Sequence, residues 1–223
     1  RSHAREDFVP GDANEAALAL VDAWPDWPAR ASALWGPAGS GKTHLGEIWR
    51  AVADARTIAP GDLSVTLVAE LAAGGAFLLD DADRAEGGAA FFHLLNFVNQ
   101  TSGWLLMTGV EPPQRWPAQV PDLHSRLTAV PGAELHVPDE ALLARVLLKL
   151  FADRQLKLPE VLIDYLVPRM RRSFADAERV VVLIDNLALQ QKRNISVEIG
   201  AQALRLLEAE RGGASADNGE GLV

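Results

Sequence analysis

The chain has 223 residues, of which 48% are hydrophobic and 23% are charged, a composition typical of a globular protein that buries a sizeable core. Its 30 acidic residues outnumber its 21 basic residues, and the formal net charge of −9 argues against a general binder of nucleic-acid phosphates. The lack of cysteine excludes disulfides and thiolate metal sites, and no apolar run reaches the length of a membrane span, so we expect a cytoplasmic protein that is not inserted in a membrane.

Short apolar runs bounded by Gly, Pro or Asp recur along the first 138 residues. Such runs are typical of buried parallel strands, and the connections between them are long enough for helical crossovers. The predicted strands are ASALWG (31–36), RTIAP (56–60), AFLLDD (76–81), WLLMTG (104–109) and AELHVP (133–138). We therefore predict a doubly wound α/β domain over residues 1–138.

The sequence after residue 138 contains helical patterns only. Apolar residues recur at helical spacing near Leu142, Val161 and Val180, which predicts an all-α domain over residues 139–211. The Gly-rich segment 212–223 has few apolar residues, so we predict that it is disordered.

Two serines are candidate helix caps in this second part. Ser173 is followed three residues later by Asp176, a spacing typical of a capping box at the start of the third helix. Ser196 is a candidate N-cap for a fourth helix that reaches about Arg211.

The segment GPAGSGKT, residues 36–43, has the pattern Gly-x-x-x-x-Gly-Lys-Thr between a predicted strand and a predicted helix. Its glycines allow the backbone N–H groups to point at an anion, with the positive end of the helix beneath it. Lys42 then offers charge to the outer phosphates, and Thr43 offers a hydroxyl to Mg²⁺. A chance match in a glycine-rich loop is the alternative, and the strand-loop-helix context argues against it. The predicted contacts with ADP or ATP are Gly36, Pro37, Ala38, Gly39, Ser40, Gly41, Lys42, Thr43 and His44.

The third predicted strand ends in two adjacent carboxylates, Asp80 and Asp81. Asp80 suits the role of ligand for Mg²⁺-bound water, and Asp81 suits the role of a general base that orients an attacking water. Many strands end in an acidic turn without a function. The position of this pair in a chain that also has the phosphate loop favours the functional interpretation, with Thr43 and Asp80 as the metal-binding residues.

The order of these motifs resembles the DnaA family of AAA+ ATPases. DFVPGDANEAAL (7–18) is similar to that family's opening box, LLDDADR (78–84) to its Walker B segment, and VPDLHSRL (120–127) to its arginine-finger segment. The stretch 147–170 is similar to its lid. The resemblance covers about residues 7–211 and implies a P-loop AAA+ fold, with a parallel five-stranded sheet and a C-terminal all-α lid domain.

Within this family the chain resembles the short, Hda-type members, and most closely their alphaproteobacterial form. DnaA itself has a further helix-turn-helix domain after the lid, whereas only residues 212–223 follow it here. The resemblance implies an ADP- or ATP-binding regulator that, with the DNA polymerase III sliding clamp, stimulates ATP hydrolysis by DnaA and so prevents re-initiation of replication. It implies no sequence-specific contact with DNA, and it leaves open whether the chain forms a homo-oligomer. The segments that carry it are MTGVEPPQRW (107–116), PDLHSRL (121–127), KLFADRQL (149–156) and RSFADAE (172–178).

The resemblance also implies roles for individual residues. Arg126 corresponds to the arginine finger, which acts on the γ-phosphate in a neighbouring subunit's site; an ordinary surface arginine or a partner for Asp122 is the alternative. Thr108 corresponds to the polar sensor that follows the fourth strand and contributes to catalysis. Phe8 and Val9 belong to the opening box, whose backbone borders the adenine.

Two departures from the family pattern indicate nucleotide binding more strongly than hydrolysis. Val110 stands where many DnaA-type proteins have Asp, and the sensor arginine of the third lid helix has no clear counterpart. In the sequence, Arg179 lies slightly after the expected position of this sensor and Arg172 slightly before it. We assign Arg179 to the sensor position. We therefore expect weak intrinsic hydrolysis. The alternative function is that of a DnaC-like helicase loader, an ATPase acting on single-stranded DNA.

Two short segments have more than one interpretation. QLKLP (155–159) is similar to peptides that dock into the sliding clamp, but its place between two lid helices favours a structural role for Leu156 and Leu158. In Hda-type proteins the clamp peptide lies at the extreme N-terminus, and we expect it either to precede residue 1 or to be replaced by another clamp contact. The basic cluster RMRRS (169–173) fits a contact with DNA or an acidic partner, and it equally fits a solvated helix end, which we favour.

Overall fold

The computed structural model describes residues 5–86 and 88–217, and the chain divides into two compact units after His136. The first unit is α/β and the second is all-α. None of the helices in the described residues is long and apolar enough to cross a membrane.

The first unit is built on a sheet of five parallel strands. They are β1 (Ala31–Trp35), β2 (Arg56–Ile58), β3 (Ala76–Leu79), β4 (Trp104–Gly109) and β5 (Gly132–Glu134). The predicted five-stranded parallel sheet is thereby confirmed, but β5 begins one residue earlier and ends four residues earlier than the predicted strand 133–138. The strand order is β2-β3-β4-β1-β5, which makes β1 a neighbour of both β4 and β5. Because all the strands are parallel, the loops that follow them lie at one edge of the sheet.

Helices cover both faces of this sheet. They are α1 (Glu15–Asp22), α2 (Lys42–Ala53), α3 (Val65–Ala69), α4 (Ala89–Gln100) and α5 (Pro121–Thr128). Successive strand residues point to opposite faces, and in β4 Leu105 packs in the apolar cluster that contains α3, α4 and α5 residues, whereas Leu106 packs in the cluster that contains α1 and α2 residues. Burial on both faces explains why the strands are apolar throughout.

The second unit consists of helices, and two of them, α8 and α9, begin at the predicted caps. They are α6 (Glu140–Asp153), α7 (Glu160–Leu166), α8 (Phe174–Gln191) and α9 (Val197–Asp217). The Ser173 hydroxyl accepts a hydrogen bond from Asp176 N at 3.3 Å, and the Ser196 hydroxyl accepts one from Ile199 N at 3.4 Å. The capping box is only half formed, because the Ser173 amide donates to Arg171 O and the Asp176 carboxylate pairs with Arg211.

Helix α9 extends into the C-terminal segment 212–223, for which the sequence analysis predicts disorder. Helix α9 continues to Asp217, beyond the predicted end near Arg211. Extending an existing helix by one residue costs far less than starting one, so a helix anchored by the buried Leu204 and Leu207 can continue through the glycines at 212 and 213. The remaining residues of that prediction, 218–223, lie outside the described part of the chain.

The two ambiguous segments make local contacts within the helical unit. Leu156 and Leu158 are half-buried, as expected for a structural role. In the basic cluster, Arg169 donates to Tyr165 O at 3.0 Å and Arg172 pairs with Glu140 at 2.8 Å. These contacts fit the end of a helix in a folded domain.

Candidate nucleotide-binding site

The loop between β1 and α2 adopts a backbone conformation that its glycines make possible. Gly36, Gly39 and Gly41 have φ values of 146°, 78° and 98°, a region that L side chains rarely adopt. A Cβ atom at Gly36 would lie 2.0 Å from the carbonyl oxygen of Leu135, which follows β5. Substitution of Gly36 by any other residue would therefore push the loop away from the sheet.

Lys42 is the first residue of α2, and its side chain folds back along the loop. Its Nζ donates to Gly36 O at 2.8 Å and to Pro37 O at 3.0 Å, and 7% of the residue's surface is exposed. Burial lowers the pKa of the Lys42 ammonium, and the nearby carboxylates of Asp81 and Asp80 oppose that shift. A cation with little access to water, beside the amino end of a helix that has no side-chain cap, suits a phosphate group.

Asp80 connects the loop to the centre of the sheet. Its carboxylate accepts a hydrogen bond from the Thr43 hydroxyl at 3.1 Å and one from the Thr108 hydroxyl at 2.5 Å. The Thr108 oxygen accepts a further hydrogen bond from Asp81 N at 2.9 Å and is fully buried. Strands β3 and β4 are paired, with Leu79 opposite Met107, which brings the residues that follow them together.

The Asp81 carboxylate has a partner of its own. Its φ of 53° lies in the left-handed region, and its carboxylate forms an ion pair with Arg84 at 3.4 Å. The Arg84 side chain is 74% exposed, and exposed pairs of this kind contribute little stability. The Asp81 side chain is itself 41% exposed, so its carboxylate is accessible to solvent, as a general base for water would require.

The residues around Thr43 fit a hydrated Mg²⁺ ion. Mg²⁺ binds through oxygen atoms, keeps several waters and takes further ligands from substrate phosphates. The Thr43 hydroxyl and the Asp80 carboxylate are adjacent oxygen donors beside the loop. Within residues 5–86 and 88–217, no group of three or more His, Cys, Asp or Glu side chains could hold a metal ion. A Mg²⁺ ion at this site would therefore need further ligands from water and phosphate.

Phe8 and Val9 are held next to the start of α2. The Phe8 ring contacts the edge of the His44 ring, with centroids 5.5 Å apart, and Phe8 is buried. Asn14, which is 1% exposed, donates to Val9 O at 3.1 Å and accepts from Gly11 N at 3.0 Å. The sequence analysis missed Asn14, although an Asn directly before a helical pattern is a helix-start signal that could have identified it.

Asp83 is a second residue that the sequence analysis missed. Its Oδ2 atom accepts a hydrogen bond from Val110 N at 2.7 Å and so joins the turn after β3 to the loop after β4. Val110 is 47% exposed. The amide of Val110 therefore has a carboxylate partner even though its own side chain is apolar.

Arg126 lies on the exposed side of α5. The neighbouring Leu123 and Leu127 are fully buried and anchor this helix to the core. The Arg126 guanidinium lies over the ring of Phe92 in α4, with Cζ 5.1 Å from the ring centroid.

Arg179 belongs to the helical unit and lies on α8. Its guanidinium makes two hydrogen bonds to the carboxylate of Glu210 on α9, one of them 2.9 Å long. These bonds raise the pKa of Arg179 and lower the pKa of Glu210. The sensor candidate is thus engaged by a carboxylate of its own domain.

Comparison with known sequences finds two proteins of limited similarity. The chromosomal replication initiator protein DnaA from Caldanaerobacter subterraneus subsp. tengcongensis is 24% identical over 132 residues, which cover 57% of this chain and 30% of that protein. An uncharacterized protein from Haemophilus influenzae is 26% identical over 186 residues, or 78% of this chain and 80% of that protein. The chain therefore spans less than a third of the DnaA relative. No family model matches the chain.

Comparison with solved structures finds similar folds that cover most of this chain. Domain III of the replication initiation protein DnaA from Thermotoga maritima has a TM-score of 0.77 at 19% identity, over 92% of this chain and 96% of that one. AMPPCP-bound DnaA from Aquifex aeolicus has a TM-score of 0.70 at 21% identity, over 84% and 66%. The RuvB Holliday junction branch migration motor of T. maritima has a TM-score of 0.69 at 17% identity, over 92% and 72%. The chain therefore has a DnaA-like AAA+ fold, with the five-stranded parallel sheet of the P-loop nucleotide-binding proteins.

Proposed function

We propose that the chain binds ADP or ATP at residues 36–44, with Mg²⁺ held near Thr43 and Asp80. The observation that supports this most directly is the glycine-dependent loop around the buried ammonium of Lys42, at the amino end of α2. The DnaA of A. aeolicus, which has the same fold, has AMPPCP bound in its solved structure. In this proposal Phe8 and Val9 border the adenine.

We infer that the chain's own hydrolysis is weak. Asp81 is the candidate general base, and Thr108 holds the carboxylate of Asp80 in place. When bound, Mg²⁺ neutralises charge on the phosphate oxygens. Val110 brings no carboxylate to the loop after β4, and Arg179 is already bound by Glu210. Both features favour nucleotide binding over nucleotide hydrolysis.

We propose further that the chain is an Hda-type regulator that stimulates ATP hydrolysis by DnaA, together with the sliding clamp. In this proposal Arg126 enters the ATP site of DnaA and offsets the charge that develops on the γ-phosphate in the transition state. The exposure of Arg126, on a helix fixed to the core by Leu123 and Leu127, supports this role. The chain's own nucleotide then sets the conformation of the regulator, and the reaction takes place in the partner.

The proposal is tested by phosphate release from ATP-loaded DnaA. We expect the purified chain, with ADP, sliding clamp and primed DNA, to raise the hydrolysis rate well above that of DnaA alone. The assay should include a form that carries an N-terminal clamp-binding peptide. If neither form stimulates hydrolysis, the regulator proposal is wrong. Hydrolysis by the chain alone that rises steeply with single-stranded DNA would instead favour the helicase-loader alternative.

Replacing Asp80 by asparagine is expected to weaken the Mg²⁺ dependence of ATP binding. The amide keeps the size of the side chain but removes the negative charge that would orient metal-bound water, which typically lowers metal affinity about 10- to 100-fold. Titration of Mg²⁺ against the ATP-bound protein measures this change.

Asp54→Asn is the matched control for this substitution. Asp54 is exposed in a left-handed conformation after the opposite end of α2, and asparagine tolerates that conformation. An unaltered metal titration for Asp80→Asn would place the metal ligand elsewhere.

A further inference from the structure

The cation–π contact between Arg126 and Phe92 joins two helices. Phe92 lies in α4, and its half-buried ring packs against the apolar cluster beneath the helix. Arg126 lies in the last turn of α5, and its guanidinium lies over that ring at 5.1 Å. The candidate finger therefore has a defined contact on its own subunit, although it is exposed to solvent.

The two partners of this contact differ in mobility. The ring has two rotatable bonds, and its helix is anchored by Phe91, Leu94 and Leu95, which are almost completely buried. An arginine on a helix surface has a long flexible chain and loses much rotational freedom when it is fixed in one geometry. The face of an aromatic ring attracts a guanidinium and restricts where it can lie. Phe92 thus limits the positions of the Arg126 guanidinium before any partner binds.

We propose that Phe92 is a positioning residue that holds the Arg126 guanidinium ready for the ATP site of a neighbouring subunit. The inference rests on the proposed function of Arg126 in trans. A guanidinium that is already restricted loses less freedom when it reaches the transition state, so the ring raises the rate of the stimulated reaction. Because the contact is made within the chain, it contributes little to the affinity for the partner.

The first test measures stimulated hydrolysis with Phe92→Leu, as a function of the concentration of the regulator. We expect the maximal rate to fall about two- to fivefold, the change that corresponds to the loss of one exposed cation–π contact. The concentration that gives half-maximal stimulation should stay unchanged. Phe92→Tyr keeps the aromatic face and should stimulate as the original protein does.

Phe97→Leu is the matched control. Phe97 is a half-buried aromatic residue of the same helix, and its ring contacts Phe77, with centroids 6.2 Å apart, instead of an arginine. Thermal unfolding and ADP binding of both leucine variants report any general loss of structure. A fall in maximal rate that is equal for Phe92→Leu and Phe97→Leu would show a merely structural effect and overturn the inference.

The second test does not depend on DnaA. Nuclear magnetic resonance of the isolated chain should show the side-chain protons of Arg126 shifted upfield by the ring current of Phe92, and Phe92→Leu should remove that shift. Absence of the shift in the original protein would overturn the inference.

The outcomes separate this inference from the proposed function. Normal maximal stimulation by Phe92→Leu, where Arg126→Ala is inactive, would overturn the positioning role alone. A raised half-maximal concentration at an unchanged maximal rate would assign Phe92 to direct contact with the partner and also overturn it. If the original protein gives no stimulation, the proposed function fails, and the positioning role fails with it.

Discussion

Arg126→Ala is expected to abolish the proposed stimulation of DnaA, with a fall of about a thousandfold or more in the stimulated rate. The guanidinium of an arginine finger carries charge to the γ-phosphate when negative charge develops there, in a site from which water is excluded. Alanine removes that charge and leaves α5 intact, because the buried Leu123 and Leu127 anchor the helix. Single-turnover phosphate release from ATP-loaded DnaA, with clamp and DNA present, measures the loss.

Arg56→Ala is the control for this variant. Arg56 is an exposed arginine at the amino end of β2, on the edge of the sheet opposite the candidate nucleotide site. Arg56→Ala changes the net charge by the same amount as Arg126→Ala, and we expect this variant to stimulate ATP hydrolysis by DnaA fully. Both variants should still bind ADP. If Arg126→Ala stimulates normally, Arg126 is not the finger, although the nucleotide site and the regulator proposal would still stand.

The features that the sequence predicted correctly depend on neighbours along the chain. Strand β3 is an uninterrupted apolar run that ends in two aspartates, and both its burial and its end follow from residues 76–81. The loop at residues 36–43 was predictable for a similar reason, because only glycine adopts its left-handed positions without strain. The caps at Ser173 and Ser196 are likewise local signals.

The features that the sequence did not predict depend on residues far apart in the chain. Glu210 binds Arg179 across 31 positions, and nothing near either residue marks the pair. Arg211 similarly takes the Asp176 carboxylate away from the predicted capping box. The order of the strands is also non-local, since β1 pairs with β4 and β5 rather than with β2. Short elements such as α3, with five residues, contain too few turns to show a helical period.

Contacts of Thr108 show why the candidate site could be only partly predicted. Its place at the end of the fourth strand made it a candidate for the polar sensor, but its hydrogen bonds with Asp80 and Asp81 join residues 28 and 27 positions apart. These bonds exist because β3 lies beside β4 in the sheet. Local patterns thus identified the groups at the carboxyl edge of the sheet, and the fold determines which of them meet.

Lys42→Ala is expected to lower ADP affinity about a hundredfold or more, beyond the range of direct calorimetric titration. Lys42 is the only lysine in the sequence of the first unit, and the other lysines, at positions 149, 157 and 192, belong to the helical unit. A buried cation interacts with phosphate more strongly than an exposed one, because little water screens the charge. The pKa of Lys42 is lowered by burial, and a bound phosphate would stabilise the charged form and raise that pKa again.

Lys157→Ala removes the same charge from an exposed position and should leave ADP affinity unchanged. Lys42→Met is a second variant that keeps the length of the apolar stem, so a loss shared with Lys42→Ala identifies the ammonium as the cause. The substitutions also remove the hydrogen bonds to Gly36 O and Pro37 O, and thermal unfolding of each variant shows whether the loop's stability has changed. Unchanged ADP affinity in a folded Lys42→Met protein would mean that the nucleotide binds elsewhere. In that case the roles proposed for Thr43 and Asp80 would also fail, because both depend on phosphate held by the same loop.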